Sequence, residues 1–427
     1  MHSPSIRLVR PAPETLGLYV RAGRLDQKDL QSFIAVGASG LAGVVFEAKR
    51  VTLQKELLTL VLERRLDAVL DPQTQPMATI GGYVKGMDGL PWSEKRPHTL
   101  GDLASPFAQR QLVEKIAQFV VQHGFTQVLA PTHLITGPDD PWLAIDIACA
   151  NALRSALERH GASHVPVNYS LALTYEAFRT PAKRHAVLAQ LQRMSSDCLW
   201  LNIDGCGSSS SPTAVTRYVD AATDFHTLGK AVVADHVGGL VGLSLLAFGA
   251  VGGLAHGVTL GERFDTAGWH KPPQGKPFGQ KPRIYLPKID MLLSRDDAKK
   301  FFELGGGKAR THFGCRDTRC CARGITDMLH APVHHFLYQR TREVAGLGRI
   351  PESLRPSQFL EEHLRPATDA ALLATRLTLP ETLAEKAVKQ NKRLNDLRIV
   401  LGPYAQKRRD ASFARHPMTR VAREVLG

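Results

Sequence analysis

The sequence predicts an α/β protein: a closed (β/α)8 TIM-type barrel, a late metal-binding insertion and a C-terminal helical extension. Three observations carry that expectation. Eight short apolar, β-branched runs alternate with longer helix-patterned stretches from residue 16 to about 260. Those runs are continuously apolar, as strands covered by helices on both faces are, and not alternating. At 427 residues the chain exceeds the roughly 250 residues of a plain barrel, leaving room for further segments. An open doubly wound sheet is the other arrangement that eight such units allow.

In chain order the expected strands are LGLYV (16–20), GVVFEA (43–48), LDAVLD (66–71), FTQVLAP (125–131), VPVNYSLAL (165–173), CLWLNID (198–204), AVVAD (231–235) and GGLAHGV (252–258). LQKELLTLVLERR (53–65) and SPFAQRQLVEKIAQFVVQHG (105–124) between them read as helices. The barrel then spans 1–312. Its last part, 261–312, opens on GERFDTAGWHKPPQGKPFGQKPR, whose Gly, Pro and Lys content suggests a long excursion or lid. A metal-binding segment follows over 313–350, and a basic helical extension over 351–427.

No run approaches the roughly 20 apolar residues of a membrane span. The start, MHSPSIRLVRPAPETL, lacks the apolar core of a secretory signal, so the expected compartment is the cytoplasm. A formal charge of +14 favours a polyanionic partner, because lysine and arginine replace counterions condensed on phosphates. From Glu385 to Gly427 there are eleven Lys/Arg against four Asp/Glu, including Lys407-Arg408-Arg409: a phosphate-gripping tail or a solvated helix face. The sequence leaves a homodimer and a partner protein both open.

Barrel enzymes place their chemistry where the strands end. Those ends carry Glu47, Asp71, Thr132, His133, Asn168, Tyr169, Asp204, Asp235, His236 and His256. A carboxylate closing an apolar strand is costly to desolvate unless something pairs or uses it. Two such groups suit displacement at a sugar anomeric carbon, one attacking C1′ and the other handling the proton of the departing group. Asp71 is expected to handle the proton and Asp235 to attack, with Asp204 as its rival. Asn168, Tyr169, His236 and His256 are expected to contact the substrate. Gly238 and Gly239 would let backbone N–H groups approach a phosphate or a planar base. Trp92, Tyr169 and Trp269 are the aromatic residues available for stacking.

The most specific local pattern is HFGCRDTRCCARGITDMLHAPVHHFLYQRTREV. Three thiolates and an imidazole match a closed tetrahedral, structural zinc site, here Cys315, Cys320, Cys321 and His334. Pro332 is suited to open a helix, placing His334 in its first turn. If the adjacent Cys320 and Cys321 cannot both turn to one ion, His330 or His312 would replace one of them.

A barrel followed by clustered cysteines and a histidine in VHHFLYQRTREVAGL resembles the tRNA-guanine transglycosylase superfamily. The zinc segment carries the closest likeness, and a looser one covers residues 16–350. The chain has Cys-x4-Cys-Cys where the family has Cys-x-Cys-x2-Cys, and LDPQTQ where the family's first catalytic motif stands. It looks most like the DpdA branch, which inserts a 7-deazaguanine base into DNA. The resemblance implies exchange of guanine in DNA, or in tRNA, for a 7-deazaguanine through a covalent aspartyl–sugar intermediate, with zinc structural. Two alternatives remain beside it: a barrel hydrolase or lyase on a phosphorylated small molecule with a structural zinc, and a catalytically silent nucleic-acid-binding relative.

Overall fold

Eight parallel strands appear where the sequence places its apolar runs, and a ninth, two residues long, lies outside them. They are β1 (Gly17–Arg21), β2 (Leu41–Glu47), β3 (Asp67–Asp71), β4 (Gln127–Leu129), β5 (Leu134–Ile135), β6 (Val167–Leu173), β7 (Cys198–Ile203), β8 (Ala231–Asp235) and β9 (Gly253–Gly257). The computed structural model describes residues 17–24, 27–37, 39–272 and 281–410, with side chains through residue 406. Pairing runs β4-β3-β2-β1-β9-β8-β7-β6, and a β4–β6 pairing closes the ring. The result is an eight-stranded parallel barrel, with the two-residue β5 added beside β6. The open-sheet alternative is excluded by that closure.

Side chains in a strand alternate between faces, and the parity here is consistent around the ring. Tyr19, Val45, Val69, Leu129, Trp200, Val233 and Ala255 form one buried cluster, which plugs the barrel interior. The Tyr19 and Trp200 rings meet at 5.0 Å across it. The odd residues of β6, such as Tyr169 and Leu171, join the second, outer core under the helices. Two residues beyond the plug, on the same inward parity, stand Arg21, Glu47, Asp71, Asn202, Asp235 and Gly257. The strand period therefore gives an apolar floor and a polar ring at the C-terminal mouth.

The helices follow their local signals. In the helix Pro106–His123, Ser105 accepts a hydrogen bond from the Ala108 N–H at 3.1 Å, and Gly124 ends it in the left-handed region at φ 71°. The stretch 53–65 is shorter as an α-helix than its pattern suggests. A 3-10 turn over Ala48–Gln54 precedes the helix Lys55–Glu63.

The 261–312 segment has more regular structure than its composition suggests. After residue 281 it forms an antiparallel hairpin, β10 (Ile284–Leu286) and β11 (Met291–Leu293), then the helices Arg295–Leu304 and Gly306–Phe313. Before that, residues 261–272 fold back over the mouth. The Gly81 N–H donates to the Trp269 carbonyl at 2.7 Å, and a Cβ at Gly81 would lie 2.2 Å from the carbonyls of Gly268 and Lys271. Only glycine permits that backbone approach.

The extension beyond 350 is helical as far as residue 410, ending in the helix Glu381–Asp410. Arg393 donates to the Ser208 carbonyl at 2.6 Å and to Asp290 at 3.1 Å, docking this helix on the barrel and the hairpin together. Lys407-Arg408-Arg409 as side chains, and the tail after residue 410, lie outside the described residues. No helix among the described residues is long and apolar enough to cross a membrane.

Candidate functional site

Asp71 and Asp235 come together at the barrel mouth, joined by Arg21. The Arg21 Nη1 donates to Asp71 Oδ2 at 2.7 Å, Nε donates to Asp235 Oδ1 at 2.8 Å, and Nη2 makes a further ion pair with Asp235 Oδ2. The space between the two carboxylates is filled by a guanidinium. Arg21 lies one residue past the apolar run LGLYV, so the run itself gives no sign of it. The parity that puts Tyr19 inside also puts Arg21 inside, and that is the signal which could have found it.

The two carboxylates have different surroundings. Asp235 is 0% exposed, and its Oδ1 also accepts the His236 N–H at 2.9 Å. Burial works against its charge, but Arg21 and His236 outweigh that and hold its carboxyl below the usual range. Asp71 keeps 21% of its side chain exposed, and its Oδ1 accepts the Gln73 N–H at 2.8 Å in a tight turn. Asp71 is thus the carboxylate open to approach.

Next to the two carboxylates lies a cavity of about 380 Å³ lined by Arg21, Arg24, Glu47, Arg50, His236 and the stretch Gly257–Gly261. Glu47 pairs with Lys49 at 3.4 Å and Arg50 at 3.2 Å. His236 sits at φ 59°, and burial pushes its imidazole pKa down, which keeps the ring neutral. Asp204 stands apart. Its Oδ1 accepts the Thr266 N–H at 2.8 Å, and it lines a separate cavity with Ser209, Ser211, Arg217 and Arg263.

Several residues expected at the substrate lie elsewhere. Strand β6 runs on to Leu173, so Asn168 and Tyr169 fall in its first half. Asn168 points inward at the far end and donates to Gln127 at 2.8 Å. Tyr169 points outward, its hydroxyl donating to Asp146 at 2.9 Å. His256 is also outward, packed edge-on against Phe336 at 5.7 Å.

The space beside Gly238 and Gly239 is taken by protein carboxylates. A Cβ on Gly238 would meet Glu262 Oε1 at 2.1 Å, and one on Gly239 would meet both Asp290 oxygens at 2.8 Å. Asp290 also accepts the Leu240 N–H at 3.1 Å, so the start of the helix Gly239–Ala247 already has its anion. Both carboxylates belong to a buried network around Arg340, which donates to Glu262 at 3.0 Å, Asp290 at 3.2 Å and Glu343 at 3.0 Å. The two glycines make room for that network. Among the expected stacking residues, Trp92 is buried and donates to the Pro72 carbonyl at 3.2 Å, while Trp269 packs edge-on against Phe264 at 5.6 Å.

The thiol cluster forms, with a different histidine. Cys315, Cys320, Cys321 and His335 bring one donor atom each to within 4.8 Å of one another, a group that could hold a metal ion. His334 is one residue, about 100° of helix, away. Its ring packs edge-on against Phe33 at 5.7 Å instead. In the helix Pro332–Gly348, His335 shares a face with Gln339, whose amide donates to Cys315 Sγ at 3.7 Å. His335 Nε2 donates to the Tyr285 carbonyl at 3.0 Å, leaving Nδ1 toward the thiols. His330 bonds its own helix at the Thr326 carbonyl and takes no part.

The adjacent cysteines both face inward because the backbone turns there: the Cys320 and Cys321 N–H groups both donate to the Asp317 carbonyl, at 3.1 and 2.8 Å. In such a turn successive side chains diverge far less than in a strand. Hydrogen bonds from Cys320 and Cys321 lower the Cys315 thiol's pKa.

No family model and no curated sequence matches the chain. Among solved structures it is similar to an endo-1,4-β-xylanase from Penicillium canescens, at 10% identity over 56% of this chain and 81% of that one, with a TM-score of 0.38. It is likewise similar to a type I 3-dehydroquinate dehydratase from Clostridium difficile, at 10% identity over 60% and 88% of the two chains and a TM-score of 0.35. A deoxyribose phosphate aldolase from Aeropyrum pernix gives 12% identity over 56% and 85%, with a TM-score of 0.32. Likeness at this level carries no functional argument, which rests on the site's own geometry.

Proposed function

We propose that the chain is a barrel enzyme acting on a nucleotide unit of a nucleic acid, and that its reaction is base exchange at C1′. The observation that carries this reading is the mouth itself: an accessible carboxylate, Asp71, tied through Arg21 to buried Asp235 beside a cavity walled by three arginines. The roles follow exposure. Asp71 attacks C1′, while Asp235, with both oxygens on Arg21, acts as a positioning residue that fixes the guanidinium. As the C1′–O bond to Asp71 forms, the C1′–N bond breaks and the departing base takes the electron pair. Neutral His236, on the cavity wall, offers that base an N–H. Attack by the incoming base on the aspartyl–sugar ester restores Asp71 and retains configuration. Guanine leaving and a 7-deazaguanine entering, on DNA or tRNA, is the version that the zinc-segment resemblance supports. Arg24, Arg50 and the net charge of +14 favour the polyanion.

Zinc is the metal that the donor set favours. Zn–S bonds of about 2.3 Å and a Zn–N bond of about 2.0 Å give tetrahedral edges of roughly 3.8 Å between sulfurs and 3.5 Å from sulfur to nitrogen. Cys320 and Cys321 Sγ lie 3.6 Å apart, and His335 Nδ1 lies 3.2 and 3.4 Å from them. Four protein ligands leave no open position, so the metal supplies a cross-link between the 315–321 loop and the helix Pro332–Gly348.

Incubation with guanine-labelled DNA or tRNA plus a 7-deazaguanine tests the exchange. Label release and a trappable protein–nucleic acid adduct are expected, both lost in Asp71→Asn. Release at the wild-type rate by Asp71→Asn removes Asp71 from the chemistry. A second reading, a lyase or hydrolase on a small phosphate ester, is favoured by the glycine-containing loop Gly257–Gly261 after the last barrel strand, a common phosphate position in barrels. Tight binding of a sugar phosphate without salt-sensitive binding of nucleic acid would select it.

A further inference from the structure

Two residues of the helix Pro332–Gly348 hold Tyr285 of β10, one at each end. His335 Nε2 donates to the Tyr285 carbonyl at 3.0 Å, and Arg340 Nη1 donates to its hydroxyl at 2.6 Å. The guanidinium also lies over the Tyr285 ring, 4.1 Å from its centroid. His335 Nδ1 faces the thiols of Cys320 and Cys321 at 3.2 and 3.4 Å. One helix therefore carries both a donor of the thiol cluster and a buried arginine, braced on the same strand.

All five N–H donors of Arg340 are engaged. Nε and Nη2 grip Glu262 at 3.0 and 3.3 Å. Nη1 serves Glu343 besides Tyr285, and Nη2 serves Asp290 as well. Arg340 is 3% and Glu262 5% exposed. Apolar residues of the same shape would fill this space about as stably, whereas a fork with five assigned partners admits one geometry.

Glu262 delivers that geometry to the mouth. Its carboxylate packs so closely on Gly238 that a Cβ there would lie 2.1 Å from Oε1. Gly238 comes three residues after Asp235 and two after His236. The Glu262 carbonyl accepts the Ser208 N–H at 2.7 Å. Immediately before Glu262, the stretch Gly257–Gly261 lines the mouth cavity, with the Gly257 N–H donating to the Gly261 carbonyl at 3.2 Å. Two residues after it, Phe264 packs on His236 with ring centroids 5.5 Å apart. One buried side chain thus ties the helix of the thiol cluster to the backbone around His236.

We propose that Arg340 is a positioning residue for the mouth, through which metal binding at Cys315, Cys320, Cys321 and His335 fixes the wall formed by residues 257–264. This rests on the zinc reading above and does not depend on base exchange. The test is hydrogen exchange of the full chain, zinc-loaded and after chelation, with zinc content measured alongside. Mass spectrometry follows segments 204–208 and 257–264, which hold the Ser208, Gly257 and Phe264 amides bonded across this wall. Chelation should speed exchange there about fivefold or more, the lower end of usual coupling between sites, while β3 and β4 keep their rates. Arg340→Lys keeps the charge without the planar fork, and Glu262→Gln keeps the shape without the charge. Either variant, zinc-loaded, should exchange about tenfold faster in the same segments, the weight of one lost charge-assisted hydrogen bond. Chelating either variant should then add nothing there, because the route is already cut. The proposal is overturned if chelation loosens 315–348 alone, if it loosens β3 and β4 equally, or if it still speeds exchange at 257–264 in both variants. Unchanged exchange in zinc-loaded Arg340→Lys overturns it and leaves the zinc reading standing, whereas a wild type that takes up no zinc overturns both.

Discussion

Replacing Arg21 with methionine is the most direct way to ask what the mouth trio does. Methionine keeps an unbranched apolar stem and removes the guanidinium. Asp235, 0% exposed, would then retain, among the described residues, only the His236 N–H at 2.9 Å as a hydrogen-bond donor. Removing one partner of a buried ion pair costs about 3–5 kcal/mol, because the other charge stays buried and unpaired. The partly exposed Asp71 contact adds at most about 1 kcal/mol. Urea unfolding at pH 7 should therefore show a loss of roughly 3–5 kcal/mol. The double variant Arg21→Met/Asp235→Leu removes both charges and should recover at least about 2 kcal/mol of that loss.

The pH dependence sharpens the test. In the wild type the Asp235 pKa is lowered, so its stabilisation is present above the unfolded value near 3.9 and is lost as pH falls through the folded value. Without Arg21, burial dominates and the pKa rises. That contribution then reverses: it is present below the unfolded value and lost as pH rises through the folded one. An Arg21→Met loss under about 1 kcal/mol, or a double variant no better than the sum of the singles, would refute a buried, mutually dependent pair.

Metal analysis of the purified protein should give about one zinc per chain, kept in His334→Ala and lost in His335→Ala and Cys320→Ala; the reverse histidine result would return the ligand to His334. Affinity for DNA or tRNA should fall steeply with salt, and Arg24→Ala/Arg50→Ala should flatten the slope of log K against log salt by about 2, measured by anisotropy; an unchanged slope removes these arginines from phosphate contact. Gly238→Ala should cost about 1–3 kcal/mol in urea unfolding, because its Cβ would overlap Glu262 at 2.1 Å. Full stability with lost substrate binding would return that glycine to the ligand.

The sequence by itself determined the eight strands of the barrel. Runs such as LDAVLD and AVVAD declare strands through neighbours two residues apart, and covering helices impose continuous apolarity, so local information sufficed for all eight barrel strands. The cysteine cluster was legible too, because Cys315, Cys320 and Cys321 lie within seven residues. What the chain could not declare was which side chains meet across a long separation. Asp71 and Asp235 are 164 positions apart and meet only because closure of the ring brings β1, with Arg21, between β3 and β8. Asn168 and Tyr169 left the expected site because β6 continues four residues past Tyr169, and strand parity sends that tyrosine outward. His335 replaces His334 because one residue of helix is about 100° of rotation, and the packing of the helix Pro332–Gly348 against Phe33 sets that phase. Gly238 and Gly239 lie beside carboxylates delivered from residues 262 and 290 by a hairpin and a buried arginine. Periodicity is a property of near neighbours, whereas strand closure, helix phase and ion pairing are properties of the assembled chain, and only the tertiary structure decides them.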